Sequence, residues 1–259
     1  MTRTILDKEL EELDQQIQQL GCLVEGALSK ALKALETDDL AVASMVIESD
    51  VTIDCLRTGI EEHAMCLLIL QQPLGGRDLR YLTSVLSIAS DLERIGDGVE
   101  GIARILLHMV PLGGRSATQM SVTIPLGSGE AEITEPSVRC SLIELGREAL
   151  RVLEGTMKAF AERNVEAARS IWKEDDVVDM RYHLVRHNLM AMMAGARAIP
   201  ALQHDSFVLQ RATYLLWIAH KLERVGDHCG NICERLVFTV EGRPFCRSGM
   251  AEKSAVCME

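Results

Sequence analysis

The chain has 259 residues, 47% of them hydrophobic and only 3% aromatic, and a formal net charge of −11. Enough apolar side chain is present to bury a sizeable core, while an acidic surface repels the phosphate backbone and excludes nucleic acid as an expected partner. The eight cysteines are expected to be reduced and cytoplasmic, because residues 1–4 run straight into an amphipathic helix with no apolar signal segment.

Apolar runs such as 189–196 fall far short of the roughly 20 residues of a membrane span, so membrane association is expected only through partners. Leu, Ala, Met, Val and Ile dominate the apolar positions, a composition that favours helices. Leu6, Leu10, Leu13, Ile17, Leu20, Val24, Ala27, Ala31 and Ala34 recur at alternating steps of four and three, the seam of a long bundle helix. Asp39 or a neighbour caps a second helix carrying Val46, Ile53, Leu56, Ile60 and Leu67, which Pro73-Leu74-Gly75-Gly76 breaks before a third begins.

Residues 111–136, rich in Gly, Ser and Thr and alternating over Ser121-Val122-Thr123-Ile124, read as a linker, either a loop or a short hairpin. Beyond Pro136 the plan repeats: a helix to about Arg163, a second from Asn164 to about Ile199, a break at Pro200, and a third ending near Phe238. All six prolines fall outside the six helices so drawn. The fold expected is all-α, two tandem three-helix bundles over 1–110 and 137–240, followed by a loose tail at 241–259.

The same hexapeptide pattern occurs twice, Leu92-Glu93-Arg94-Ile95-Gly96-Asp97 and Leu222-Glu223-Arg224-Val225-Gly226-Asp227. Residues four apart on a helix project within about 40° of each other, so each motif presents two like charges on one face. Leu82, Leu86, Ala89 and Gly96 share the face of Glu93, as Ala212, Leu216, Ala219 and Gly226 share that of Glu223. Acids that continue an apolar stripe need a positive partner or a proton.

A shift of 125 residues aligns Leu20-Gly21 with Leu145-Gly146, Lys33-Ala34 with Lys158-Ala159, and Asp50 and Asp54 with Asp175 and Asp179; the hexapeptides align at 130. Antiparallel second and third helices can then bring Asp50 and Asp54 opposite Glu93 and Asp97, and Asp175 and Asp179 opposite Glu223 and Asp227. All-carboxylate sites suit hard cations such as Mg, Mn, Ca or iron. The plainer reading is structural ion pairing, with Arg94 and Arg224 swinging back onto the acids.

These motifs, together with Gly75-Gly76-Arg77-Asp78-Leu79-Arg80 leading into Asp91 and the first hexapeptide, resemble the PhoU family over about residues 1–240. The resemblance implies two three-helix repeats with paired Glu/Asp-x-x-x-Asp motifs that bind iron or zinc clusters. It also implies a non-enzymatic adaptor that couples the ATPase subunit of a phosphate ABC transporter to a sensor histidine kinase and damps the phosphate-starvation response. Exposed seams of the long helices are compatible with a homodimer.

Repeat one departs from the fuller pattern of repeat two: Gly98, Gly101 and Arg104 stand where His228, Asn231 and Glu234 do, and Arg57 where Tyr182 does. An internal guanidinium can neutralise carboxylates without metal, so the second site is expected to be the tighter and the first weak or empty. His183 and His220 are further candidate ligands of site two, whereas His187 rotates off the acidic face. Cys229 and Cys233 read as small core residues, and Gly96 and Gly226 as allowing close helix approach or ligand access.

A carboxylate-bridged di-iron enzyme is the rival function, but no Glu precedes any histidine by three residues as such sites require. A metal-free helical scaffold is the third. No nucleophile constellation, Cys-x-x-Cys zinc pair or Walker spacing is present, so catalysis and ATP use are not expected.

Overall fold

The structure, a computed structural model, describes residues 3–71, 73–112, 121–126, 129–198, 206–243 and 245. Six long helices are laid out as expected: α1 (Arg3–Thr37), α2 (Leu40–Leu70), α3 (Gly76–Met109), α4 (Glu135–Glu162), α5 (Val165–Ala198) and α6 (Ser206–Glu241). A single 3-10 turn, Val110–Leu112, follows α3. The expected break at Pro200 and the tail from residue 246 lie outside the described residues. None of the described helices is long and apolar enough to cross a membrane.

Between the two helical triplets, β1 (Ser121–Leu126) and β2 (Gly129–Thr134) pair antiparallel, Ser121 opposite Thr134 and Leu126 opposite Gly129. The linker is thus a hairpin, and it ends by starting the next helix. Thr134 caps α4: its hydroxyl accepts from the Ser137 amide at 3.2 Å, while Ser137 Oγ accepts from the Thr134 amide at 3.0 Å. Pro136 therefore lies inside α4 rather than before it, in the first turn, where its missing N–H and fixed φ carry no cost.

The connections inside the triplets are duplicated to the level of backbone angles. Asp38 and Arg163, 125 apart, both adopt the left-handed conformation, with φ of 56° and 50°. The next residue in each case caps a helix: Asp39 Oδ1 accepts from the Ala41 amide at 2.9 Å, and Asn164 Oδ1 from the Ala167 amide at 3.0 Å. These two-residue joints fold α2 back on α1 and α5 back on α4.

The two triplets pack through α1 against α4 and α3 against α6, related by a pseudo-two-fold axis. Gly21 receives the Met157 side chain and Gly146 receives that of Leu32, the equivalent pair 125 residues away; a Cβ at either glycine would overlap its guest. Two ion pairs flank this contact with their charges exchanged. Arg139 donates to Asp38 at 2.7 Å, and Arg163 lies 3.6 Å from Asp14, so Arg139 faces Asp38 where the equivalent Asp14 faces the equivalent Arg163. One contiguous core results, with Leu13, Ile17, Ile53, Leu82, Leu92, Leu145, Val178, Leu189 and Leu222 drawn from all six helices.

A buried ion pair that the sequence did not signal ties the hairpin to both triplets. Arg211 of α6 and Glu135 of α4, with side chains 8% and 9% exposed, form a two-pronged contact, and Arg211 Nη1 donates to the Met109 carbonyl at 3.2 Å. Removing one member of such a pair leaves a buried charge, at a cost of about 3–5 kcal/mol. Glu135→Ala is therefore expected to lower the thermal midpoint by roughly 10 °C, at ~2–4 °C per kcal/mol for a chain of this size. The double change Glu135→Leu with Arg211→Met is expected to recover most of that loss in the same melting experiment.

Candidate metal sites of the two repeats

Asp50 and Asp54 lie one turn apart on α2, and Glu93 and Asp97 one turn apart on α3. Packing brings one carboxylate oxygen each of Asp50, Asp54 and Asp97 within 4.8 Å of one another. Asp50 is half-buried and its Oδ1 is fully enclosed without a hydrogen-bond partner. Gly96 faces it across the interface: a Cβ there would crowd Ile53 Cγ2 at 3.2 Å and touch Asp50 Oδ1 at an ordinary 3.7 Å.

An enclosed oxygen without a donor is costly when ionised. Burial first, and then the charges of Asp54, Glu100 and Asp97, push the Asp50 carboxyl up to about 6, with Arg104 offsetting part. Glu93 is raised by burial and by Asp97, against the opposing pull of Arg57. Asp97 is raised by burial, Asp54 and Glu100, against Arg94 and Lys221. Arg57 does not clasp the aspartates; it pairs with Glu61 at 3.1 Å and acts on Glu93 through space.

Glu100 belongs to this array and was missed in the sequence, although Glu93, Asp97 and Glu100 follow the helical i, i+4, i+7 stripe. It is held by Arg104, whose Nε donates to it at 2.7 Å. Repeat two has Gly230 and Glu234 at those two places.

In repeat two, Asp175 and Asp179 on α5 face Glu223 and Asp227 on α6. Asp175 Oδ1 is likewise buried without a hydrogen bond, and a Cβ on Gly226 would overlap that atom. Burial, then Asp179, Asp227, Asp176 and Glu223, push Asp175 up to about 6, and no cation figures among the causes. Glu223 is raised by burial and by Asp227, and His220 Nδ1 lies 3.1 Å from its Oε2. His220 thus reaches the site through Glu223. The His183 ring lies tilted against that of Tyr182 at 5.6 Å between centroids, and Tyr182 in turn lies 6.2 Å from the His220 ring.

Geometry and charge balance distinguish the two repeats in opposite senses. Among the described residues, the group of three convergent oxygens lies in repeat one, because α2 carries both Asp50 and Asp54 close to Asp97. Charge balance runs the other way: Arg57, Arg94, Arg104 and Lys221 temper repeat one, while in repeat two Glu223 is tempered by the His220 ring beside it.

The other residues of the second motif have separate work. His228 and Asn231 turn away from the carboxylates and bond Asp91 of α3, at 2.9 and 3.2 Å. Glu234 accepts from Trp172 Nε1 at 3.2 Å. Cys229 and Cys233 are core residues as expected; burial raises both thiols, Cys233 to about 12, which leaves them unreactive.

The PhoU domain family model matches residues 17–106 and 142–236, once per helical triplet. The chain is 32% identical over 240 residues to the phosphate-specific transport system accessory protein PhoU homolog of Streptococcus pneumoniae, covering 93% of this chain and 97% of the relative. It is 30% identical over 238 residues to the accessory protein PhoU of Escherichia coli, covering 92% and 86%. The crystal structure of the PhoU regulatory protein from Streptococcus pneumoniae superposes with a TM-score of 0.71 at 30% identity, covering 93% of this chain and all of that one. That of PhoU from Pseudomonas aeruginosa gives 0.75 at 26%, covering 92% and 99%.

The raised carboxyls set a pH dependence. A folded-state pKa above the unfolded value favours folding fully below the unfolded value near 4, and that contribution is lost as pH rises through about 6. In chelator-treated protein at pH 7, Asp50→Asn with Asp175→Asn is therefore expected to raise the thermal midpoint. Both groups are partly solvated, which holds the gain to a few degrees. The variant's melting curve is also expected to change less between pH 5 and 7, as read by circular dichroism.

Proposed function

The chain belongs to the PhoU family, and from that membership and the duplicated acid sites we propose that it is a metal-binding, non-enzymatic accessory protein of phosphate uptake. The observation that carries the metal reading is the recurrence, in both repeats, of a buried aspartate oxygen without a donor, set against a glycine and crowded by further carboxylates. A lone acidic pair occurs on many helices. Two built to one plan, each holding charge that its surroundings penalise, fit a cation.

Asp50, Asp54, Glu93 and Asp97 would hold metal in repeat one, and Asp175, Asp179, Glu223 and Asp227 in repeat two. An oxygen-only donor set suits Mg, Mn, Ca or iron, and zinc would draw on His220 as well. A cation held there would supply the positive charge that lets these carboxylates stay ionised across the α2–α3 and α5–α6 interfaces. The chain's own cations already supply part of that charge in repeat one, so repeat two has the greater need.

The relatives are named accessory proteins of a phosphate-specific transport system. By extension this chain works in the cytoplasm as a homodimer, meets the transporter's ATPase subunit and a sensor histidine kinase, and restrains both phosphate uptake and starvation signalling. The rigid bundle fixes the two metal-holding faces relative to each other, so that occupancy of the sites can be read by a partner as a surface of defined charge.

Immobilised ATPase subunit of the phosphate transporter is expected to capture the wild-type chain. Glu223→Ala with Asp227→Ala is expected to cut that capture about tenfold and to raise a phosphate-starvation reporter under phosphate-replete growth. Equal capture of the double variant would detach the acidic pocket from partner binding, and no capture of the wild type would contradict the adaptor role.

A further inference from the structure

α3 and α6 cross antiparallel where residues 91–101 meet residues 221–231, and a groove of about 200 Å³ opens there. Its lining includes Arg94, Asp97 and Gly98 from α3 and Lys221, Arg224 and His228 from α6. The groove sits on the pseudo-two-fold axis, since Arg94 and Arg224 are equivalent at the 130-residue offset, as are Gly98 and His228. Two arginines and a lysine against one aspartate make a cationic pocket on a chain whose net charge is −11.

Each side of the groove is built differently. On one side, Asp91 lies 2.9 Å from His228 Nδ1, and the buried ring presents Nε2 to Arg224 Nη2 at 3.4 Å. With Nδ1–H given to Asp91, Nε2 is left to accept from the guanidinium, so Arg224 is braced by a histidine and not neutralised by an acid. On the other side the side chain of Lys221, the equivalent of Asp91, runs over Gly101. A Cβ on Gly101 would overlap Lys221 Nζ, so the glycine that stands where repeat two has Asn231 makes room for this lysine. Lys221 in turn offsets the charge of Asp97.

That leaves the two guanidinium groups. Both side chains are exposed, and neither makes an ion pair with a carboxylate among the described residues, in contrast to Arg57, Arg104, Arg139, Arg151 and Arg211. Guanidinium forks match the oxygens of a tetrahedral anion in a bidentate way that an ammonium does not. The groove has room for several waters at ~30 Å³ each, enough for such an anion.

We propose that this groove is an oxyanion site, in which Arg94 and Arg224 hold inorganic phosphate or a phosphate monoester from the two sides of the pseudo-two-fold axis, with Lys221 as the third cation. The groove shares Asp97 with the repeat-one carboxylates, and its three cations hold the anion without metal there.

The test is calorimetric titration of the full chain, treated with chelator and held at low salt, with inorganic phosphate and in parallel with phenyl phosphate. Saturable binding of at least one is expected, and the tighter probe identifies the free ion or the monoester as the source. Arg94→Ala with Arg224→Ala is expected to weaken Kd by about tenfold or more while its circular dichroism spectrum remains that of the folded helical chain. Arg94→Lys with Arg224→Lys is expected to fall between, and Asp50→Asn with Asp175→Asn to bind as the wild type does. No saturable binding of either probe by chelated wild type, or an equal Kd in the double Ala variant, would overturn the site.

Discussion

An aspartate oxygen held inside a helix interface without a donor, twice in one chain, is the constraint around which this bundle is arranged. Asp50 and Asp175 sit in the α2–α3 and α5–α6 interfaces facing Gly96 and Gly226, and a Cβ on Gly226 would overlap Asp175 Oδ1 while one on Gly96 would crowd Ile53. Glycine inside a helix costs about 1 kcal/mol relative to alanine. The sequence accepts that cost at both equivalent positions, and the neighbouring acids then raise each aspartate toward neutrality. The site is strained electrostatically rather than in its backbone, and a cation relieves that kind of strain directly.

The duplication also shows how the two halves have diverged while keeping one architecture. Glycines receive each other's partners across α1 and α4, and the flanking ion pairs survive with their charges exchanged. Such an exchange keeps the attraction and breaks the identity of the halves, which favours one pairing of repeats over others. Across α3 and α6 the difference is chemical: Asp91 engages His228 and Asn231, whereas its equivalent Lys221 lies over Gly101. Repeat one has arginines and a lysine near its acids that repeat two does not match.

Much of this was legible in the sequence for identifiable reasons. The six helices could be read because apolar residues recur with the helical period and Asp39, Gly75-Gly76 and the Pro136 region mark their ends. The start of α4 was placed two residues too late, after Pro136, since a proline in the first turn resembles one before it. The acidic positions could be read because i, i+4 spacing fixes a shared face whatever the packing. Glu100 escaped because it lies outside the hexapeptide and has no counterpart in repeat two. The buried Arg211–Glu135 pair escaped because it joins residues 76 apart, a contact that no local pattern encodes. The partner of Arg57 escaped for a similar reason: Arg57 was credited with neutralising the aspartates on its own helix, but it turns to Glu61.

The proposal that the paired acids hold cations is tested most directly by counting tightly bound Mn²⁺ in chelator-treated wild type and in two double variants. These are Asp50→Asn with Asp97→Asn in repeat one, and Asp175→Asn with Asp227→Asn in repeat two. Each variant is expected to lose the ions of its own repeat and keep those of the other. Identical binding in all three proteins, or no tight binding in the wild type, would contradict it.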